Sequence, residues 1–131
     1  MALLRNSKQA KQAIDFDGIQ NGKIHPTDID AVLEFDNDAL ILMEVKRVGN
    51  KIPIGQKLVL ERICDSWHNY KCIALYITHD FKNDDKDIPM EQCSVDEYYY
   101  NKKWKKSSNK ELKKVLNAFG KVWDIKKLTI K

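Results

Sequence analysis

This sequence lacks the features of membrane proteins and of disulfide-stabilised proteins. None of its apolar runs approaches the roughly 20 residues that a transmembrane helix needs. The apolar stretch in the N-terminal MALLRNSKQAKQ is too short for a secretory signal. Three cysteines do not make a disulfide framework, so we expect reduced and mostly buried thiols. These absences favour a cytoplasmic protein without a membrane partner.

The chain also lacks internal repeats and long linkers. Its 131 residues are 43% hydrophobic and 32% charged, which suits a single domain, 1–131, with a packed core. Acidic residues become scarce toward the C-terminus. Residues 1–100 contain 12 basic and 17 acidic residues, whereas residues 101–131 contain 11 lysines and two acidic residues. This basic C-terminal extension is suited to a polyanionic partner.

Apolar patterning predicts an α/β protein with a mixed sheet flanked by helices. Alternating or continuous apolar residues predict five strands, at 14–19, 27–35, 39–46, 71–80 and 94–100. Three helices are predicted, at 5–13, 56–67 and 109–123. The last of these is a basic C-terminal helix, and the strand at 94–100 is a candidate edge strand.

Two consecutive predicted strands carry ionisable residues that should lie close together. In PTDIDAVLEF, alternation puts Asp28 and Asp30 on the polar face, and the buried strand ILMEVK ends in Glu44 and Lys46. The short turn at 36–38 predicts an antiparallel hairpin, and symmetric pairing about it puts residue 30 opposite residue 44. Asp30, Glu44 and Lys46 should therefore lie together at one edge of the sheet.

Such a cluster has a specific chemistry. Two carboxylates with open coordination positions suit a hard divalent cation such as Mg²⁺ or Mn²⁺. An adjacent lysine can hold a phosphate or a hydroxide nucleophile. The arrangement therefore fits metal-assisted hydrolysis of a phosphodiester bond.

The segment PTDIDAVLEF…ILMEVK resembles the PD-(D/E)xK nuclease superfamily, which has an acidic residue on one strand and Glu-x-Lys on the next. The following helix begins with Gln56, in PIGQKLVLERI, and a glutamine here recurs in several branches of that superfamily. The resemblance covers about residues 14–80 and implies an αβββαβ, restriction-endonuclease-like core. The short length and basic flank look most like small phage and archaeal Holliday-junction resolvases or virus-type replication-repair nucleases.

The resemblance implies a role for each residue of the motif. Asp30 and Glu44 would bind the metal, and Val45 would add its backbone carbonyl. Lys46 would position or activate the attacking water. Gln56 would orient Lys46 or the substrate phosphate. The implied activity is that of a Mg²⁺-dependent endodeoxyribonuclease in which Mn²⁺ substitutes.

The sequence departs from the family pattern at two points. The first motif reads PTDID, so Asp28 competes with Asp30 as the metal ligand; the pairing favours Asp30, and Asp28 shares its face. Many resolvases also have an early glutamate as a further ligand, but this chain has no glutamate before Glu34. Asp15 or Asp17 would have to take its place.

Other residues are candidates for supporting the site or contacting DNA. His25 precedes the Asp30 strand and is a candidate to face the site. Eight basic residues flank the site or lie in VDEYYYNKKWKK: Arg47, Lys51, Lys57, Arg62, Lys102, Lys103, Lys105 and Lys106. Interleaved aromatic and lysine side chains can bind unpaired nucleic acid, although Tyr98 and Tyr100 can equally cover the edge of the sheet.

The sequence thus predicts a small metal-dependent DNA endonuclease. The absence of an obvious sequence-reading domain favours recognition of DNA shape, with branched or junction DNA as substrate and a homodimer where two strands are cut. The resemblance alone suggests a phage or mobile-element origin. A restriction-type or nicking nuclease is an alternative within this class. A non-cleaving nucleic-acid-binding module on the same fold, or a protein-interaction domain, is an alternative outside it.

Overall fold

A computed structural model describes residues 14–82 and 86–131 of the chain. The strands are β1 (Ala31–Phe35), β2 (Ala39–Arg47), β3 (Cys72–His79), β4 (Ser94–Tyr100) and β5 (Lys103–Lys106). The helices are α1 (Ile54–Ser66) and α2 (Leu112–Val122), with a short 3₁₀ helix at Met90–Gln92. The strands form one sheet in the order β1-β2-β3-β4-β5. The described residues therefore make one small α/β domain.

Strands β1 and β2 form the predicted hairpin. They pair antiparallel, with Phe35 opposite Ala39 next to the turn. Asp36 and Asn37 in the turn both have positive φ angles, of 53° and 60°. Aspartate and asparagine tolerate this conformation better than most residues, and turns of this hand match the twist of the strands. The turn therefore fixes the register on which the positions of the acidic residues depend.

The rest of the sheet is built around a parallel crossover. Strand β3 runs parallel to β2, and α1 connects them. Strand β4 is antiparallel to β3, and β5 is antiparallel to β4. The sheet is therefore mixed, as the sequence predicts. No helix in the described parts of the chain is long and apolar enough to cross a membrane.

An apolar core covers each face of the sheet. On one face, Leu42 of β2 packs in a cluster with Leu60 and Cys64 of α1. On the other face, Ile41 of β2 lies in a cluster that includes Leu116 of α2. We call these the α1 face and the α2 face. The helices thus flank the sheet on both sides, as predicted.

Several predicted elements agree with the structure. The strands β2, β3 and β4 and the helices α1 and α2 lie where they are predicted, with ends that differ by a few residues. The three cysteines are free and buried. The predicted helix at 5–13 lies outside the described residues.

The predicted strand at 14–19 is wrong. This segment forms turns, in which the backbone N–H of Asp17 donates to Asp15 Oδ1 at 2.9 Å and Gly18 has a φ of 89°. Aspartate and glycine favour such turns. The alternating apolar residues do not reach the core, and Ile14 is 82% exposed.

Two further corrections concern where one strand begins and where another lies in the sheet. The first strand begins at Ala31 rather than at residue 27, and β4 lies inside the sheet rather than at its edge. The edge is β5, a lysine-rich strand without an apolar pattern. The described order is thus two strands, α1, three strands and α2. The αβββαβ order implied by the resemblance is not confirmed.

Candidate active site

The two acidic residues predicted to meet lie together across the β1–β2 hairpin. The backbone N–H of Val45 donates to Asp30 Oδ2 at 2.8 Å. The backbone N–H of Asp30 donates to Glu44 Oε1 at 3.1 Å. Asp30 directly precedes β1, so these bonds extend the hairpin by one step beyond its last regular pair, Ala31 with Met43. The backbone thus holds both carboxylates side by side.

Glu44 is an unusual residue for the interior of a sheet. It is 1% exposed, and no other acidic or basic residue in the described parts of the chain is buried. Its Oε2 atom has no hydrogen-bond partner among the described residues. Burial raises the pKa of Glu44 and the charge of Asp30 adds to this, although the Asp30 N–H and Lys46 oppose it. A buried carboxylate oxygen without a partner is costly unless a cation or a proton binds to it.

Lys46 and Gln56 complete a chain of contacts on the α1 face. Lys46 Nζ lies 3.8 Å from Glu44 Oε2 and donates to Gln56 Oε1 at 3.4 Å. Gln56 Nε2 in turn donates to Asp28 Oδ1 at 3.2 Å. Alternation along β2 puts Glu44 and Lys46 on one face. The first turn of α1 then supplies the amide that fixes the lysine.

The connection between β2 and α1 brings Gln56 to Lys46. Gly49 has a φ of 94°, which a residue without a Cβ adopts at little cost. The hydroxyl of Tyr76 donates to the carbonyl of Asn50 and ties the loop to β3. Helix α1 begins after Pro53. Gln56 therefore sits in a first turn whose position is set by the sheet.

The two competing aspartates occupy different places. Asp30 is bonded to the backbone beside Glu44, whereas Asp28 contacts the amide of Gln56. Alternation alone puts Ile29 on the same face as Ala31, but Ile29 packs against the core of the α1 face instead. This part of the predicted alternation is wrong because residues 27–30 precede the strand and follow their own path.

The predicted helpers from residues 15–25 are only partly brought to the site. No hydrogen bond or ion pair joins Asp15 or Asp17 to Glu44 within the parts that the structure describes, so a substitute for the early glutamate is not found there. His25 is exposed, and its Nδ1 lies 3.0 Å from the carbonyl oxygen of Pro26. It lines a groove together with Gln56.

One groove leads away from the site along α1. Its volume is about 620 Å³, and its walls include His25, Asp28, Gln56 and Arg62. Two residues of the contact chain, Asp28 and Gln56, thus face open space beside a histidine and an arginine. The predicted position of Arg62 near the site agrees with this geometry.

A second groove lies at the end of β2 and β3. It has a volume of about 490 Å³ and is lined by Lys51, Lys57 and Trp104, among others. The Nζ atom of Lys57 lies 5.0 Å from the centroid of the Trp104 ring, in cation–π contact. Lys51 and Lys57 are therefore placed where an anionic ligand at this end of the sheet could reach them.

The other predicted DNA contacts lie elsewhere. Alternation along β2 puts Arg47 on the α2 face, opposite to Lys46. Four of the predicted lysines lie on the β4–β5 hairpin, three strand positions or about 14 Å from β2: Lys102, Lys103, Lys105 and Lys106. The lysines of VDEYYYNKKWKK are therefore separate from the residues around Glu44, because β5 is the opposite edge strand of the sheet.

Three residues near the site, Tyr76, Asp96 and Glu97, carry no signal in the local sequence. The β2–β3 register puts Tyr76 opposite Glu44, and the β3–β4 register puts Glu97 opposite Tyr76. Asp96 lies in a β-bulge beside them, and both acids line the groove with Lys51. Burial, followed by the charges of Asp96 and Glu97, raises the pKa of Tyr76. Glu44, Tyr76 and Glu97 thus form a row across β2, β3 and β4. The register of the parallel crossover sets this row, and that register has no local sequence signal.

The donor set suits one kind of metal. The described parts of the chain hold no cluster of three or more histidine, cysteine or acidic side chains that could bind a metal. Mg²⁺ commonly uses one or two carboxylates and takes its other ligands from water and substrate phosphates. The unpaired Oε2 of Glu44 beside Asp30 therefore fits Mg²⁺ or Mn²⁺ better than a metal that needs a complete protein cage.

No protein-family model, curated protein or solved structure matches this chain. The resemblance to the PD-(D/E)xK superfamily therefore rests on the sequence motif alone. Two carboxylates, an amine and an amide converge where β2 approaches its end, beside two open grooves.

Proposed function

We propose that this protein is a metal-dependent endonuclease that hydrolyses phosphodiester bonds in DNA. The observation that carries the proposal is Glu44 Oε2, which is buried, lacks a hydrogen-bond partner among the described residues and lies 3.8 Å from the amine of Lys46. Such an oxygen beside a second carboxylate and a lysine fits a cation and a phosphate together. Unless a cation or a proton binds to this oxygen, its burial is costly.

Each side chain at the site has a different role. Asp30 and Glu44 would hold Mg²⁺, with the carbonyl of Val45 as a further ligand. The bound cation would supply positive charge where phosphate oxygens become more negative in the transition state. Lys46 would orient the attacking water or the scissile phosphate. Gln56 accepts a hydrogen bond from Lys46 and so limits where its amine can point.

Asp28 acts through Gln56 in this scheme. A glutamine amide can place either its oxygen or its nitrogen toward a neighbour. The bond from Gln56 Nε2 to Asp28 Oδ1 leaves Oε1 for the lysine. Asp28 is therefore a positioning residue rather than a metal ligand, and Asp30 is the ligand.

We also propose the finer assignments that the sequence suggests. The substrate is branched DNA such as a four-way junction, because the described domain offers grooves rather than a recognition helix for base reading. The active form is a homodimer, because cutting two strands of a junction symmetrically requires two sites. Light scattering of the purified protein measures its mass in solution, and a monomer in the presence of junction DNA would contradict the dimer.

The decisive experiment is cleavage of end-labelled DNA. A four-way junction, a splayed fork, a linear duplex and a single strand of shared sequence are each incubated with Mg²⁺, with Mn²⁺ and with EDTA. The wild type is compared with Lys46→Ala and with Lys71→Ala, a control lysine whose partner is Asp38 at 3.2 Å, outside the site. We expect metal-dependent cleavage that falls at least about 100-fold in Lys46→Ala and persists in Lys71→Ala.

Each other result has a definite meaning. Equal cutting of fork, junction and duplex would retain the nuclease and reject structure selectivity. Tight binding without cutting in either metal would reject the enzyme and favour the non-cleaving binding module. Equal loss in both lysine variants would reject the assignment of the site to Lys46.

A further inference from the structure

The β4–β5 hairpin presents aromatic and basic side chains together on the α2 face. Its register pairs Tyr98 with Lys105 and Tyr100 with Lys103. Cross-strand partners lie on the same face of a sheet. Both tyrosines pack against the core of the α2 face, so both lysines also belong to that face. This places two cations directly beside two aromatic rings.

A groove opens between this hairpin and α2. Its volume is about 360 Å³, and its walls include Tyr98, Tyr100, Phe119 and Val122. Phe119 meets the two tyrosine rings edge-on, with centroid distances of 5.6 and 5.4 Å. Val122 is 70% exposed. The groove therefore has one wall of aromatic and aliphatic side chains that is open to solvent, and polar side chains, among them Lys106, Ser108 and Lys114, complete its lining.

The charge around the groove is mostly uncompensated. Lys106 and Lys114 line the groove, and Lys103 and Lys105 flank it opposite Tyr100 and Tyr98. The three β5 lysines form no ion pair with any carboxylate that the structure describes, whereas Lys114 lies 2.7 Å from Glu111. Lysines on an edge strand also discourage unwanted pairing with other strands. That role explains the charge of β5, but it does not explain an open aromatic groove beside it.

We propose that this groove binds unpaired nucleic acid, with bases against the aromatic side chains and phosphates at Lys103 and Lys105. Base stacking on aromatic rings combined with backbone contacts to lysine is the general mode for single strands. Alternate residues of a strand lie about 6.7 Å apart, so the two lysines offer regularly spaced charges along an extended backbone. An acidic peptide would use the lysines but has less need of flat aromatic walls.

This surface is distinct from the candidate active site. Glu44 and Lys46 lie on the α1 face, and β5 is three strand positions away from β2. Binding in the groove does not rest on cleavage, although a splayed fork, which has unpaired arms, would satisfy both. Measurements in EDTA keep the two proposals separate, because the groove requires no metal.

The test is fluorescence anisotropy with a dye-labelled oligothymidine in EDTA. Lys103→Ser/Lys105→Ser should reduce the slope of log affinity against log salt by about 1.4, because two phosphate contacts are lost. Lys121→Ser/Lys126→Ser is the matched control: it removes the same charge from lysines that line a different hollow.

Tyr98→Leu should weaken oligothymidine binding about tenfold and leave the binding of an abasic strand of equal length unchanged. Oligouridine tests whether RNA binds as DNA does, and binding of either strand supports the proposal.

Three results would overturn it. The control pair of lysines could lose as much affinity as the groove pair, which would indicate general charge attraction. The abasic strand could bind the wild type as tightly as oligothymidine, which would exclude stacking. Polyglutamate or duplex DNA could compete better than the single strand. Circular dichroism checks folding, and Lys105→Glu repeats the test at an exposed position without altering the packing of Tyr98 on Phe119.

Discussion

Glu44 links the ionisation of a single carboxyl group to the stability of the sheet. Its pKa is raised in the folded protein, chiefly by burial. Between the ordinary pKa and the raised pKa, the folded state therefore binds more protons than the unfolded state. The stabilising contribution is present below the ordinary pKa and is lost as pH rises through the raised one.

We predict that Glu44→Gln removes this pH dependence in the absence of metal. At neutral pH the variant should be more stable than the wild type by on the order of 1 kcal/mol, because it buries no charge. Urea unfolding in EDTA from acidic to neutral pH measures the effect. Glu34→Gln, an exposed acid on the same hairpin, serves as the control. A wild type whose stability follows the same pH curve as Glu44→Gln would contradict the prediction.

The two aspartates that precede β1 should differ in their functional roles. Asp28→Ala should lower the cleavage rate by about 10- to 100-fold while Mn²⁺ still binds, since only the orientation of Gln56 is lost. Asp30→Ala should abolish Mn²⁺ binding as well as cleavage. Calorimetric titration with Mn²⁺ and single-turnover cleavage separate the two effects. Loss of Mn²⁺ binding in Asp28→Ala alone would exchange the roles of the two residues.

The hairpin is the element that sequence reasoning predicts best. Turn residues that tolerate positive φ, alternation in β1 and a buried run in β2 all favour the same register. That register brings Asp30 to Glu44, and the two-residue period puts Lys46 beside it. Local patterns therefore predicted most of the candidate site, because its residues come from one hairpin and the adjoining helix.

The elements that were missed depend on partners distant in the chain. IDFDGI alternates like a strand, but aspartate and glycine form turns and no strand in the described residues pairs with it. KWKK has no apolar pattern, yet it pairs with β4 because Trp104 packs there and donates to Glu61 at 2.7 Å. The row from Glu44 to Tyr76 depends on a crossover register, which no local pattern encodes.

Two helical glycines offer a matched comparison at this scale. A Cβ atom at Gly120 of α2 would collide with the backbone carbonyl of Leu128, whereas a Cβ atom at Gly55 of α1 would meet open space. Gly120→Ala should lower the free energy of unfolding by about 1 to 3 kcal/mol, as is typical of an overpacked site. Gly55→Ala should raise it by about 0.5 to 1 kcal/mol. Thermal and urea unfolding check both, and equal effects would show that the C-terminal segment is not packed against α2.

At the scale of the whole molecule, the two sheet edges carry opposite charge. The β1–β2 edge holds the acidic cluster, and the β4–β5 edge holds the lysines. A cation at the acidic edge should stabilise the entire domain, because a ligand that binds only the folded state shifts the unfolding equilibrium.

We predict that Mn²⁺ raises the unfolding temperature of the wild type. At a concentration 100 times the dissociation constant, Mn²⁺ should raise the free energy of unfolding by about 2.7 kcal/mol. This stabilisation should shrink as pH falls, because protons compete with the metal for Glu44. Differential scanning calorimetry with and without Mn²⁺ measures it, and Glu44→Gln should show little gain. An equal increase in that variant would locate the bound ion elsewhere.

The strand order has a consequence for how the chain is made. Each strand of the sheet lies beside the one synthesised just before it. Each new strand can therefore pair as soon as it has been synthesised, because its partner already exists. Contacts between neighbours in sequence form quickly because they close short loops. We expect the acidic hairpin to leave the ribosome first and the sheet to grow strand by strand toward its basic edge.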